Sequence, residues 1–177
     1  MQIIEVTPRL SAKYANIGLV ILGDGLGLVG LKERAAELGV ENHCVFVGQV
    51  PFEKVPMYIN ASDVGVSINL RPDRERASEL KVRQYLACGK PVVASPSFNE
   101  FLVDEHLGSV VEPHDIYTIA RELDRWLSLS LDEKVEFSDL AFCYARERLS
   151  VEGALAMRFA AWQGRLKPAQ TSTQGNA

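Results

Sequence analysis

The sequence predicts a doubly wound parallel α/β sheet (Rossmann-like), and three observations carry that prediction. Short runs that are apolar throughout recur along the chain, helical patterns separate them, and Gly or Pro stands at several junctions. Strands buried on both faces read as continuous apolar runs, and strands separated by helices pair in parallel. No internal repeat at solenoid periods competes with this reading.

The elements follow in order. IGLVIL (Ile17 to Leu22) reads as a strand that leads at once into Gly-Asp-Gly, and LVGLKERAAELG as a helix that stops at Gly39. CVFVG (Cys44 to Gly48) is a second strand, and FEKVPMYINAS a helix kept short by Pro56. Val64 to Ile68 is a third strand, and after the loop LRPDRERA a helix starts near Ser78. PVVAS is a fourth strand, Asn99 to Asp104 a short helix, and Ser109 to Glu112 a fifth strand. The rest is helical: Asp115 to Leu129, Asp132 to Arg148 and Val151 to Gly164. Residues 1–167 make one domain, and the small, polar segment 168–177 (PAQTSTQGNA) reads as a disordered tail.

Bulk properties exclude several function classes. A chain of 177 residues with 47% hydrophobic and 24% charged content has the composition of a globular domain. Its net charge of −4, without a basic block, leaves no general electrostatic footprint for nucleic acid. No apolar run approaches the roughly 20 residues of a membrane-spanning helix, and no signal-peptide layout is visible. Cys44, Cys88 and Cys143 lie far apart in apolar contexts and form no CxxC pair, which fits a reduced, cytoplasmic protein. His43, His106 and His114 share no metal-ligand spacing, so no metal is expected.

Open parallel sheets bind ligands beyond the carboxyl ends of their strands. Gly23-Asp24-Gly25, the turn through Gly48 and Val50, and the segment from Asn69 to Ser78 all fall at such ends. Glycine tolerates positive φ, so Gly-Asp-Gly either admits a ligand to the backbone or turns strand into helix with Asp24 near the dipole. GDGLGLVG meets a GxGxxG search only at wrong spacing. No acidic residue closes a second strand to hold a ribose, so a nicotinamide site is disfavoured. In the helix near Ser78, the N–H groups of Glu79, Leu80 and Lys81 would face the site, with Ser78 as N-cap. A lysine in a first turn opposes the helix dipole; Lys81 is either a solvated side chain or a phosphate partner. Gln84, at i+3 on the same face, has the chemistry to hydrogen-bond a ribose hydroxyl. Arg71 and Arg74 in RPDRER are rim candidates for a phosphate against the plain reading of a solvated loop.

The ordered segments RLSAKYANIGLVILGDG, LKERAAELGVENHCVFVGQVPFEKVPMYINASDVGVSINL, SELKVRQYLACGKPVVAS and LGSVVEPHD together resemble a known family. From Ile3 to about Gln163, about nine tenths of the chain, the sequence is similar to the C-terminal half of family-4 (group 1) glycosyltransferases of GT-B architecture. The resemblance implies a retaining transfer of sugar from a nucleotide-sugar donor, such as a UDP- or GDP-sugar, with no cofactor. It places Gly23, Asp24, Gly25 and Val50 beside base and ribose, Ser78, Glu79, Leu80 and Lys81 beside diphosphate and sugar, and Gln84 at a ribose-binding position. The implied partner is an N-terminal acceptor domain on another chain, and the implied location cytoplasmic, peripheral to the membrane.

Two departures stand out. In the E-x7-E pattern of the family the acids fall at Arg76 and Gln84, with Glu75 and Glu79 nearby but out of register. Replacing a charge-assisted bond by an amide costs about 1–2 kcal/mol of donor binding. The strand, Gly-rich turn and Arg/Lys pair that the family places before the helix at Ile3 are not in the sequence, and Pro8 is expected to interrupt that helix. In the last helix Val151, Leu155, Phe159 and Trp162 form an apolar stripe, either packed within this domain or turned to the N-terminal one. Two function classes follow: a glycosyltransferase domain, incomplete by itself, and a non-catalytic binding or scaffold domain derived from one.

Overall fold

The computed structural model describes residues 2–70, 80–96 and 99–165. The chain opens with helix α1 (Gln2–Ser11), strand β1 (Leu19–Leu22), helix α2 (Leu28–Glu37) and strand β2 (Cys44–Gly48). Helix α3 (Val55–Asn60) and strand β3 (Gly65–Ser67) follow, then α4 (Leu80–Ala87), β4 (Val92–Ala94), the single-turn α5 (Phe101–Asp104) and β5 (Gly108–Val110). Helices α6 (Ile116–Leu127), α7 (Leu131–Tyr144) and α8 (Val151–Arg165) close the chain, with a π turn at Ala145–Leu149 between the last two. Among the described residues no helix is long and apolar enough to cross a membrane.

All strand pairs are parallel, as the sequence predicts, but the strands form two sheets: β1-β2, and β3-β4-β5. The two wings differ in core. Val92, Val93 and Ala94 of β4 are buried on both faces, between Leu86 of α4 and Leu102, and beneath Ile119 and Leu123 of α6. The two-stranded wing buries Ala35 and Val40 with Ile4, packed by Leu19 and Ile21 of β1 and Cys44 and Phe46 of β2. Its other face shows Val20 and Val45, paired in register and about half exposed.

Helix α1 joins the wings. Ile4 belongs to the small core, while Val6 and Leu10 belong to the large one. Arg34 of α2 donates to both Glu5 carboxylate oxygens at 2.8 and 2.9 Å. Beyond the C-terminal end of α1, Lys13 Nζ reaches the two Asp124 oxygens of α6 at 2.6 and 2.8 Å, and Tyr14 Oη donates to Asp124 at 2.6 Å.

Pro8 does not interrupt α1; the helix runs through it to Ser11. Packing explains this, since Ile4, Val6, Thr7 and Leu10 around it are buried and hold a helix that propensity alone disfavours. Pro56 lies in the first turn of α3, where no intrahelical N–H bond is lost, and so it starts that helix instead of shortening it. Helix α7 ends at Tyr144 and its continuation to Leu149 is a π turn, so the predicted single helix to Arg148 is really two conformations. Capping is local: Asp115 accepts from the Thr118 N–H at 3.0 Å, and Ser130 with Glu133 forms a capping box on α7.

Candidate functional site

Parallel strands put their carboxyl ends along one rim, and the predicted site residues that the structure describes lie there. On the small wing the chain leaves β1 through Gly23 (φ 114°) and Gly25 (φ 153°), conformations that favour glycine. The Gly23 N–H donates to the Gly48 carbonyl at 2.7 Å, so the turn is tied to the end of β2. Asp24 is exposed, and its carboxylate accepts from the Gly25 N–H at 2.7 Å; it does not cap α2, whose N-cap is Gly27 without a side-chain bond. Val50 is half-buried just past β2, and Phe52, two residues on, is 71% exposed.

On the large wing the rim is helix α4. Val82 and Leu86 point into the core and Gly89 (φ 68°) ends the helix against Ser138. Tyr85 lies over Gly65, where any Cβ would collide with its ring. On the opposite face Leu80 and Lys81 are exposed and Gln84 is half-buried. Neither the Lys81 ammonium nor the Gln84 amide has a hydrogen-bond or ion-pair partner among the described residues. Ser78 and Glu79 lie outside the described residues, as do Arg71, Arg74, Glu75 and Arg76.

Sequence reasoning missed a buried polar set behind this rim. Ser67 closes β3 and Ser95 follows β4, with the Ser95 N–H donating to the Ser67 carbonyl at 3.0 Å. Ser95 Oγ accepts from the Asn69 N–H at 3.0 Å, and Asn99 Nδ2 donates to the Ser95 carbonyl at 2.9 Å. Ser67 Oγ and Asn99 Oδ1 are buried without a partner. The available signal was a serine closing two otherwise apolar strands, VGVS and VVAS.

The two halves of the rim stay apart: no hydrogen bond or ion pair among the described residues joins Gly23–Val50 to Lys81 or Gln84. A small, partly open concavity of about 60 Å³ lies at the opposite, amino edge, lined by Asp63, Gly89, Lys90, Lys134 and Ser138 among others. His43 has a structural task, its Nδ1 lying 2.9 Å from the Ile17 carbonyl. Burial pushes the Cys44 and Cys88 thiols up from their ordinary value, which disfavours thiolate chemistry there. The α8 stripe is not packed within the domain: Val151, Leu155, Phe159 and Trp162 are all exposed.

Known proteins resemble this chain in sequence and in fold. The chain is 34% identical over 126 residues to the GDP-mannose-dependent alpha-(1-6)-phosphatidylinositol monomannoside mannosyltransferase of Mycolicibacterium smegmatis, a match covering 66% of this chain and 32% of that protein. It is 29% identical over 97 residues to the alpha-monoglucosyldiacylglycerol synthase of Streptococcus pneumoniae, covering 54% of this chain and 21% of the other. The chain thus spans a third or less of the length of these relatives.

Among solved structures, Anabaena HepE in complex with UDP and glucose superposes with a TM-score of 0.71 at 19% identity, over 93% of this chain and 44% of that one. The C-terminal domain of a group 1 glycosyl transferase from Francisella tularensis superposes with a TM-score of 0.66 at 18% identity, over 85% of this chain and 78% of that domain. Likeness at this identity establishes a shared fold, one half of the GT-B architecture. The model of the family described as glycosyl transferases group 1 matches residues 1–139, and the chain belongs to that family.

Proposed function

We propose that this chain is the donor-binding half of a retaining glycosyltransferase that takes its sugar from a UDP- or GDP-sugar. The observation that carries the reading is the polar face of α4. Lys81 and Gln84 stand one turn apart, without a hydrogen-bond or ion-pair partner among the described residues, beside the strand ends. Lys81 and the first N–H groups of α4 take the diphosphate, and Gln84 takes a ribose hydroxyl. The Gly23–Gly25 turn, Val50 and the exposed Phe52 border the base. Lys81 and the helix dipole supply the positive charge, so the reading needs no resident metal.

The acceptor sits on an N-terminal domain facing this rim, which accounts for the exposed stripe on α8. By their names both relatives handle sugar-bearing lipids, so a lipid acceptor reached from the cytoplasmic membrane surface fits best. The second reading, a scaffold domain without chemistry, draws on Gln84 standing where the family resemblance calls for an acid.

Titration calorimetry with UDP, GDP and their sugars separates the two. The donor reading expects saturable binding that Lys81→Ala weakens about tenfold, the size of one charge-assisted contact. No heat at millimolar nucleotide would sink it, and binding indifferent to Lys81→Ala would remove Lys81 from the site.

A further inference from the structure

Two arginines from distant parts of the chain converge on one cleft beside α4. The cleft has a volume of about 190 Å³ and is lined by Arg83 of α4, by Leu149 and Ser150 at the end of the π turn, and by Val151, Leu155 and Arg158 of α8. Among the described residues no carboxylate lines it. Both arginines are exposed to solvent. In a chain with a net charge of −4 this is a local concentration of positive charge, which draws an anion.

The walls of the cleft are fixed. The Ser150 hydroxyl donates to the Arg146 carbonyl at 2.6 Å and accepts from the Gly153 N–H at 2.9 Å, so it holds the start of α8. Any Cβ at Gly153 would collide with the Glu147 carbonyl, so α8 begins pressed against the π turn. Leu149 packs on the large core, and Val82 and Leu86 anchor α4 in it. The two guanidinium groups therefore stand on elements whose spacing is set before any ligand arrives. The cleft is also separate from the rim. Residues two apart on a helix point about 200° apart, so Arg83 leaves α4 on the side away from Lys81.

We propose that this cleft binds a phosphate monoester whose organic part is apolar, at a site distinct from the donor rim. Each guanidinium presents a planar fork to two oxygens, and two forks from opposite walls are matched by the three free oxygens of a monoester better than by the two of a carboxylate. Leu149, Val151 and Leu155 supply an apolar wall that inorganic phosphate leaves uncovered. The volume lies below the roughly 300 Å³ at which pockets enclose a drug-sized ligand, so the cleft takes the phosphate and the first carbons beyond it, not a whole nucleotide-sugar. A soluble monoester and the headgroup of a phosphatidic acid share this chemistry.

Amide NMR titration of the 177-residue chain with phenyl phosphate tests the site. The proposal expects saturable shifts at the amides of Arg83 and of 149–155. Either Arg83→Ala or Arg158→Ala should weaken them about tenfold, the size of one charge-assisted contact. Both side chains are exposed, so the variants keep the fold, and an unchanged spectrum away from the cleft checks this. Inorganic phosphate should bind about tenfold more weakly than phenyl phosphate. Absence of saturable shifts at these amides, or shifts that survive both arginine substitutions, would overturn the site. Lys81→Ala should leave the affinity for phenyl phosphate as it was; a loss there equal to that in Arg83→Ala would return the phosphate to the rim and overturn a separate site. Equal affinity for inorganic phosphate would overturn the apolar half of the proposal. Sedimentation with phosphatidylcholine vesicles, with and without phosphatidic acid, distinguishes the sources. Binding that requires both phosphatidic acid and the two arginines assigns the ester to a lipid headgroup. Phenyl phosphate binding without vesicle binding assigns it to a soluble monoester, and either result supports the cleft as a phosphate site.

Discussion

The two wings of the sheet are made of the same kind of sequence and are held by different means. In the three-stranded wing β4 lies between two partners, buried on both faces, with Leu86, Leu102, Leu107, Ile119 and Leu123 closing over it. Trp126 meets Phe137 edge-on at 5.2 Å and donates its indole N–H to Ser109, fixing α6 and α7 to the same core. The two-stranded wing has Ile4, Ala35 and Val40, and one of those three comes from α1. An isolated pair of strands is marginal in water. The small wing therefore borrows its order from α1.

The largest effect should come from the large core. Leu86 is fully buried between sheet and helices, and Leu86→Ala is expected to cost about 3 kcal/mol from lost burial plus the cavity left behind. Denaturant unfolding should show the loss as a lower midpoint for the whole molecule. Ile4→Ala removes comparable area from the small core but should cost less globally, about 2 kcal/mol, because a lightly packed wing collapses more easily around a gap. Its signature is local: amides of β1 and β2 should exchange faster while those of β4 keep their protection. Equal exposure of both wings in Ile4→Ala would mean that the molecule has one cooperative unit and that the comparison is wrong.

What the sequence made legible follows the same division. Apolar runs of three to six residues identify all five strands, because burial on both faces leaves a local mark. Which strand sits beside which is a non-local matter, and nothing in IGLVIL or GVS reports that β1 and β3 fall in separate sheets among the described residues. Pro8 misled for a related reason: its local preference is real, but two cores grip α1 on either side of it. Turn chemistry correctly gave the positive φ of Gly23 and Gly25, and helical spacing the shared face of Lys81 and Gln84 on α4. Ser67, Ser95 and Asn99 were not legible, since a buried serine looks like any other small residue until its partners are known.

A smaller change probes how the two wings cooperate at the rim. If Gln84 contacts a ribose hydroxyl, Gln84→Glu restores a charge-assisted bond worth about 1–2 kcal/mol, and nucleotide should bind roughly tenfold tighter. The variant changes only the large wing, so the gain requires that the small wing already holds the base. Unchanged affinity in Gln84→Glu, with Lys81→Ala still harmful, would place the nucleotide's phosphates on α4 and its ribose elsewhere.

The smallest expected effect concerns the clasp that joins α1 to the large wing. The hydrogen bond from Lys13, and then that from Tyr14, hold the Asp124 carboxyl below its ordinary value of 3.8. The same contacts raise Lys13 and Tyr14 above theirs. For a depressed carboxyl the stabilisation is complete above the unfolded value and fades as pH falls through the folded one. For the two raised groups it is complete below their unfolded values, near 10, and fades only above them. The clasp should therefore work at full strength between about pH 5 and 9 and fail on the acid side first. Asp124 is about a third exposed, so water and salt screen the pair and its worth is at most about 1 kcal/mol. Asp124→Asn should lose that amount at pH 7 and nearly nothing at pH 2, flattening the acid limb of the stability profile. Glu5, held low by Arg34 on the small-wing side of α1, should keep part of that limb in the variant. An acid limb of unchanged slope in Asp124→Asn would show that packing alone, through Ile4, Val6 and Leu10, holds the wings together.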